Sequence, residues 1–435
     1  MYLSTVKSGT PTGAPPTGER TGRRGRFGAV SANVFALGAV SLVTDVSSEM
    51  VTAVLPLYLV LGLQLSPLAY GAIDGVYTGA TALLRLAGGY LADRTHRRKL
   101  VAGIGYGLSA VAKLGLLAAG RSTGAIGLVI AADRAGKGLR TAPRDALITL
   151  STPPHALGRA FGVHRTMDSI GAFLGPLVAL GVLAAAAQSY DAVFVTSFCV
   201  AAVGVLLLAL FVRDHRGALP AKPDAAPVRL RDAATLLAEA PVRRLVLAAC
   251  LLGLATIGDG FLYLMLQRRE EVSLVWFPLL AAGTSLGYLL VATPIGILAD
   301  KVGRLPVLLG GYAALAVTYL LVFGPVGGWP LLVLTLGLYG VFYAATDGVL
   351  MALAGPVLPE RLRTTGIALI QTGQALSYLV SSVLFGLAWT LWGPQAASRV
   401  AAAAVLVAIA ATVALLRTRA TARPAVPTQP VEPTR

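Results

Sequence analysis

Apolar segments of about twenty residues recur along the whole chain, separated by short polar breaks. A segment of this length can cross a bilayer as an α-helix, because each residue adds about 1.5 Å toward a hydrocarbon core about 30 Å thick. The pattern predicts an all-α polytopic membrane protein with twelve spans. They are placed near residues 31–61, 69–92, 100–119, 124–147, 158–185, 192–212, 245–266, 274–299, 305–326, 330–355, 364–391 and 396–416.

A charged stretch divides the twelve spans into two sets of six. We expect one six-helix bundle at residues 29–212, a linker at 213–244 and a second six-helix bundle at 245–416. The tails, 1–28 and 417–435, are rich in proline, threonine, glycine and arginine, which is typical of disordered segments. With an even number of spans in each set, both tails and the linker are expected on one side of the membrane.

The composition favours a membrane location over a soluble one. Of the 435 residues, 56% are hydrophobic and 13% are charged, whereas soluble domains average about 25% charged residues. The net charge of +16 suggests nucleic-acid binding at first sight, but the basic residues lie mostly between apolar segments, as the positive-inside rule describes. We therefore expect no nucleic-acid partner, and a monomer surrounded by membrane lipid.

The basic residues concentrate in alternate loops, and this asymmetry sets the orientation. The opposite loops contain few: Arg121, Arg268, Arg269 and Arg399. We expect both termini to be cytoplasmic and the chain to lie in the cell's inner membrane. The first apolar run exceeds 30 residues and contains Asp45 and Glu49, so it is interpreted as a retained span and not as a signal peptide.

Two similar stretches end the second and the eighth predicted spans. They read "GGYLADRTHRRK" at 88–99 and "IGILADKVGRLP" at 295–306, with Asp93 and Asp300 in equivalent positions. The pattern resembles the loop signature of the major facilitator superfamily, although His96 or Arg97 stands where the first copy should have its glycine. Duplicated halves of this kind are a common way to build a transporter.

The resemblance covers residues 31 to about 416. It looks closest to a bacterial and archaeal branch that reads "TDVSSEM" at 44–50, "RAGKGLRTAPRDALI" at 134–148 and "YAATDG" at 343–348. It implies two pseudo-symmetric six-helix bundles, a substrate path between them and an alternating-access cycle. It also implies a conformational latch, formed by Gly89, Asp93, Arg94, Arg97, Arg98, Gly296, Asp300 and Arg304. The alternative is that these residues only anchor the chain at the headgroups.

Charged residues interrupt several predicted spans of the N-terminal half. Each costs roughly 2.5–3.5 kcal/mol on insertion scales, and such residues usually face a cavity or a partner. Asp133 and Lys137 are one helical turn apart and close enough to pair. We predict one charge network, which serves proton coupling; the alternative is that its charges pin helices together as static ion pairs. Its candidates are Asp45, Glu49, Asp74, Arg85, Asp133, Arg134, Lys137, Arg165 and Asp168.

The C-terminal half has fewer buried charges. Aligning the two loop motifs places alanines where Asp74 and Arg85 stand in the first half. Its side of the cavity is therefore expected to be mainly apolar and aromatic, and to contact much of the substrate. The candidate lining residues are Asp259, Tyr263, Tyr343, Asp347, Gln371, Gln374 and Tyr378.

One further motif bears on the direction of transport. Gly171, Gly175 and Pro176 in "GAFLGPLVALG" resemble the G-x-x-x-G-P element of drug:proton antiporters, although the closing glycine pair is absent. Simple close packing of helices is the alternative. The leading hypothesis is proton-coupled export of a small amphipathic or hydrophobic organic compound. Uptake by proton symport and a non-transporting membrane sensor are the alternatives; no enzyme activity, cofactor or metal site is expected.

Overall fold

The computed structural model describes residues 31–95, 97–153, 156–214, 235–359 and 362–417. The predicted tails, apart from Arg417, and linker residues 215–234 lie outside this part of the chain. Within the second helix, the side chains from Arg85 onward are also outside the description.

The N-terminal half consists of six long helices. They are α1 (Ala32–Leu57, extended by the π-helical turn Tyr58–Gly62), α2 (Pro67–Thr95), α3 (Arg98–Ala118), α4 (Thr123–Leu150), α5 (Leu157–Ala185) and α6 (Tyr190–Phe211). Each is long enough to cross a hydrocarbon core, and each begins within a few residues of its predicted position.

The C-terminal half also supplies six spans, but two of them are interrupted. The helices are α7 (Ala240–Leu254), α8 (Asp259–Glu270), α9 (Pro278–Val302), α10 (Arg304–Leu321), α11 (Gly328–Thr346), α12 (Val349–Ala354) and α13 (Arg363–Arg417). The pairs α7–α8 and α11–α12 each form one span, and α13 contains two spans joined at Gly393. The all-α, twelve-span fold class is therefore confirmed.

The spans predicted at 245–266 and 330–355 each consist of two helices. The first is interrupted between Leu254 and Asp259, and the second at Asp347 and Gly348. Gly348 has a φ of 75°, a left-handed conformation that is strained for residues with a side chain. Both interruptions place an aspartate at a half-helix end, because Asp259 begins α8 and Asp347 follows the last residue of α11.

The helices alternate in direction, so Ala32 and Arg417 lie on the same face of the bundle, here called the terminal face. Asn33 on this face donates to the Ser151 hydroxyl at 2.7 Å and to the Arg213 carbonyl at 3.2 Å. On the opposite, distal face, Arg121 donates to the Leu63 carbonyl at 3.2 Å. On the terminal face these bonds join the start of α1 to the ends of α4 and α6, and on the distal face the bond joins the end of the first span to the turn before α4.

The two halves make close contact near the distal face, where α2 packs against α13 and the turn before α8. A Cβ atom on Gly75 would lie 3.0 Å from the Leu379 carbonyl oxygen, and one on Gly386 would lie 3.0 Å from the Leu68 Cα. The Gly71 backbone contacts that of Ser382 in the same way. Only glycine permits backbones to approach this closely. We call the contact between Pro67–Gly75 and Leu379–Gly386 the distal seal.

Candidate substrate cavity and charge network

A cavity of about 830 Å³ lies between the two halves, on the terminal side of the distal seal. All seven residues predicted for the C-terminal lining are on its wall: Asp259, Tyr263, Tyr343, Asp347, Gln371, Gln374 and Tyr378. Six residues predicted for the charge network are there too: Asp45, Glu49, Asp74, Lys137, Arg165 and Asp168. Pro176 also contributes to the wall. Both halves therefore line one space.

The wall is acidic and rich in tyrosine. It carries six carboxylates against two basic side chains, and seven tyrosines. The C-terminal side carries apolar and aromatic side chains, and Thr256, Thr284, Ser285 and Thr346 line it as well. These hydroxyls carry no formal charge, so a comparison of the charged residues in the two halves did not single them out.

Two acids at the seam between the halves are held by hydroxyl groups. Asp259, the first residue of α8, accepts hydrogen bonds on Oδ1 from Tyr339 at 2.7 Å and from Tyr343 at 2.5 Å. Asp74 accepts on Oδ2 from Ser382 at 2.6 Å and from Tyr378 at 3.2 Å. Among the described side chains, no basic group lies within 4.0 Å of either carboxylate.

Asp74 therefore differs from its predicted role within an N-terminal network. It projects from α2, in the N-terminal half, but its hydrogen-bond donors belong to α13, in the C-terminal half. The predicted neighbour on the same helix face, Arg85, has a side chain outside the described part of the chain. Helix spacing could place Asp74 on a face but could not show which half that face contacts.

Asp45 and Glu49 project from neighbouring turns of α1 into the cavity, as their spacing predicts. Asp45 lies 3.5 Å from the Arg140 guanidinium, and both side chains are largely buried. Glu49 has no hydrogen bond and no ion pair within 4.0 Å among the described residues. Arg140 was not among the predicted network residues, although a buried arginine in an apolar span requires a partner.

A second cluster lies behind the wall, between α3 and α4. Asp133 accepts from Arg134 Nε at 2.8 Å and from the Ser109 hydroxyl, and it lies 3.4 Å from Lys113 Nζ. The predicted pair of Asp133 with Lys137 was wrong, because Lys137 faces the cavity instead. Lys113 was not among the residues predicted for the charge network. The sequence could have indicated it, because a lone lysine within an apolar span also needs a buried partner.

This cluster reaches the cavity through one aromatic ring. The Arg134 guanidinium lies 3.9 Å from the ring centre of Tyr77, and Tyr77 lines the cavity. Arg134 is 3% exposed. A cation stacked on a ring face is stabilised by the ring quadrupole, so Arg134 holds the Tyr77 ring in place.

A third set of charges joins the halves near the terminal face. Arg165 of α5 lies 2.7 Å from Asp347, which also accepts from the Tyr288 hydroxyl at 3.1 Å. The Arg165 and Asp347 side chains are 61% and 46% exposed. We call this contact the terminal bridge. Within the N-terminal half, Asp168 lies 3.8 Å from Arg144 and 3.9 Å from Arg165.

Only part of the predicted latch falls within the described side chains. Gly89 and the side chains of Asp93 and Arg94 belong to the stretch of α2 whose side chains lie outside the description. Arg97 is exposed, and Arg98 is 2% exposed. In the second copy, which includes Gly296 and Asp300, Arg304 donates to the Ala352 carbonyl at 2.5 Å. This bond joins the start of α10 to the end of α12, and the role of the latch stays a prediction.

The glycines of the antiporter-like motif pack α5 against α1. A Cβ on Gly175 would lie 2.6 Å from the Glu49 Cβ, and one on Gly171 would lie 3.1 Å from the Leu42 carbonyl carbon. Close packing is thus sufficient to explain both glycines, and the export role of the motif stays a prediction.

Comparison with known sequences identifies the family. The model of the Major Facilitator Superfamily matches residues 37–284 and 270–434. An uncharacterized MFS-type transporter of Methanocaldococcus jannaschii is 30% identical over 371 residues, which are 83% of this chain and 89% of the relative. An uncharacterized protein of Mycobacterium tuberculosis is 37% identical over 158 residues, or 36% of this chain and 38% of its own.

Solved structures show the same fold. The crystal structure of the nucleoside transporter NupG has a TM-score of 0.74 at 15% identity, covering 88% of this chain and 99% of its own. A POT family transporter in complex with 5-aminolevulinic acid has a TM-score of 0.74 at 14% identity, covering 91% and 97%. The chain therefore belongs to the major facilitator superfamily and is a multi-pass membrane transporter of that kind.

Proposed function

We propose that the protein works by alternating access and exports a small amphipathic or hydrophobic organic compound in exchange for protons. The observation that carries this proposal is a single cavity to which both halves contribute acidic residues. A rocking motion of one half against the other would expose these acids to one face and then to the other. Coupling requires a group that gains and loses a proton as its access changes, and carboxylates can do so.

The two contacts between the halves are suited to such a cycle. The distal seal consists of close backbone packing, whereas the terminal bridge is an exposed contact of three side chains. Opening the terminal bridge exposes its charges to water, where an ion pair contributes only about 0–1 kcal/mol. This asymmetry supports a cavity that communicates more readily with the terminal face.

Asp45 is our first choice for the proton-carrying residue. It lies on the cavity wall, one turn from Glu49, so ionising both acids on this face is unfavourable in a low-dielectric setting. Its neighbour Arg140 cannot itself carry the proton, because a guanidinium stays charged. The arginine can hold Asp45 ionised when close and release it when the helices shift. Glu49 and Asp168 are the next candidates.

Proteoliposome transport tests this assignment. We expect Asp45→Asn to abolish accumulation driven by an imposed pH gradient while retaining counterflow without a gradient. Asp191→Asn, an exposed acid in the first turn of α6, is the matched control and should behave as the parent. Gradient-driven accumulation by Asp45→Asn equal to the parent would contradict the assignment. The same result for Glu49→Gln and Asp168→Asn would contradict proton coupling as a whole.

We also propose that the terminal face is cytoplasmic, that the chain lies in the inner membrane, and that it acts as a monomer. The loop charges support this orientation. A cysteine at Ser273, introduced after Cys199 and Cys250 are replaced by serine, should react with an impermeant maleimide in intact cells. A cysteine at Arg417 should react only after permeabilisation. The reverse pattern would overturn the topology.

The latch is proposed to stabilise one of the two access states. Asp93→Asn should then shift the distribution of distances between the halves and slow turnover, while the amount of inserted protein is unchanged. Electron spin resonance on spin-labelled pairs would measure the shift. Unchanged distances and transport would leave only the anchoring role.

A further inference from the structure

Asp74 lies against the turn that precedes Asp259, at the seam between the halves. A Cβ on Gly258, the residue before Asp259, would lie 2.8 Å from the Asp74 Cγ and 2.9 Å from the Tyr378 hydroxyl. Each carboxylate accepts two hydroxyl hydrogen bonds on one oxygen. No basic group in the described part of the chain lies within 4.0 Å of either carboxylate. The described residues therefore give the two acids hydrogen bonds but no neutralising charge.

Each helix interruption brings a helix C-terminus to the cavity, followed by the N-terminus of the next half-helix. The last carbonyl groups of a helix lack helical donors and carry a partial negative charge. The α7 terminus at Leu254 and the α11 terminus at Thr346 both fall within a few residues of cavity-lining positions, including Thr256 and Asp347. In transporters, such half-helix C-terminal ends face the bound cation.

Aromatic rings surround the same two acids. Tyr70, Tyr263, Tyr343 and Tyr378 line this part of the cavity. Tyr70 is 3% exposed, and its ring packs against that of Phe261 with the ring centres 4.7 Å apart. Ring faces also attract cations directly, most strongly when the cation is desolvated.

We infer that the transported compound is an organic cation with a sizeable apolar or aromatic part, whose positive charge lies between Asp74 and Asp259 and whose apolar part lies against the tyrosine rings. This inference rests on the proposed function and narrows its substrate class. Two acids with no described basic group within 4.0 Å favour a positively charged ligand over an organic anion. The rings favour an organic ion over a small hydrated one.

Binding to the purified full-length protein tests the inference with probes matched in shape and opposite in charge. The probes are radiolabelled tetraphenylphosphonium, unlabelled tetraphenylborate as the anion of the same shape, and benzyltrimethylammonium with benzenesulfonate as a smaller pair. We expect saturable cation binding that the anions do not displace. Equal displacement by the anions, or saturable binding of neither cation, would overturn the inference.

Substitutions then locate the charge. Asp259→Asn and Asp74→Asn should each weaken cation binding by at least about tenfold, equivalent to about 1.4 kcal/mol. Asp259→Glu keeps the charge and should retain more cation binding than Asp259→Asn. Retained binding would also show that a substitution at this position does not by itself disrupt the site. Glu271→Gln, an exposed acid outside the cavity, is the control and should bind as the parent. Unchanged affinity in both Asn variants would overturn the assignment.

These binding measurements need no pH gradient. The proposal of proton-coupled export and the proposal of a cationic substrate can therefore be contradicted independently of each other. Cation binding through Asp74 and Asp259 without gradient-driven accumulation would refute proton-coupled export and leave the substrate class standing. Gradient-driven transport of neutral or anionic compounds, with no cation binding, would refute the substrate class and leave proton-coupled export standing.

Discussion

Acidic residues have different partners in the interior of the N-terminal half and at the seam between the halves. In the interior, Asp133 is paired with Arg134 and Lys113. At the seam, Asp74 and Asp259 are held by tyrosine and serine hydroxyls. The first arrangement joins helices of one bundle, whereas two of the hydroxyl bonds cross from one bundle to the other.

The difference suits a bundle that moves as a unit against its partner. Separating a buried ion pair leaves bare charges in a low-dielectric interior, which costs several kcal/mol. Separating a hydroxyl from a carboxylate leaves one charge that water can solvate once the seam opens. Close α3–α4 packing, in which a Cβ on Gly105 would lie 2.7 Å from the Gly136 carbonyl oxygen, adds to the rigidity of the N-terminal half.

The largest effect is expected from breaking the interior cluster. Asp133→Asn leaves Arg134 and Lys113 buried without their carboxylate, so the free energy of unfolding should fall by about 3–5 kcal/mol. Denaturant titration in detergent micelles, followed by circular dichroism, measures the change. Asp145→Asn is the control, because that side chain is 43% exposed and its loss should change stability by less than about 1 kcal/mol. Equal stabilities of the two variants would contradict the comparison.

A smaller effect is expected at the distal seal. Gly71→Val forces a side chain against the Ser382 backbone, and overpacking of this kind costs about 1–3 kcal/mol. Because separation of α2 from α13 relieves the clash, the distance between spin labels at Ser122 and Ser273 should increase. Gly107→Val, at a position with open space around it, should leave that distance unchanged. An unchanged distance in Gly71→Val would mean that the seal does not limit distal opening.

The tyrosines at Asp259 should show non-additive effects. Tyr339→Phe and Tyr343→Phe each remove one of two hydroxyls, and each should lower the free energy of unfolding by about 1 kcal/mol. The double variant leaves the described part of the site without a donor to Oδ1, so its loss should exceed the sum. The control is Tyr263→Phe, because the Tyr263 hydroxyl bonds to Thr284 and not to Asp259. Strict additivity would show that Asp259 does not depend on the pair.

The smallest effect is expected at the terminal bridge. Arg165 and Asp347 are exposed, so Arg165→Gln should change the free energy of unfolding by only about 0.2–1 kcal/mol. It should nevertheless favour terminal opening, which spin labels on α5 and α9 would report. A fall in the free energy of unfolding above about 2 kcal/mol would show that this pair resembles the buried ion pairs of the N-terminal half.

Much of the fold followed from the sequence, because apolar length and loop charge determine where spans begin and end. The breaks before Asp259 and at Asp347–Gly348 did not follow, because a short interruption hardly changes the hydropathy of its segment. The cavity wall was anticipated from polar residues in apolar spans. The partners were not: Asp133 with Lys113, and Asp74 with Ser382, join residues on different helices, and helix periodicity shows only which side of its own helix a residue occupies.

The start of α8 at Asp259 has a kinetic consequence. The carboxylate occupies the positive end of a helix, and two tyrosine hydroxyls already point at one of its oxygens. The organic cation proposed above would meet a preorganised site, so its arrival would require little dipole reorientation. Association should then be limited by how often the cavity is accessible, and changes that speed opening should raise the association rate more than they alter the intrinsic affinity.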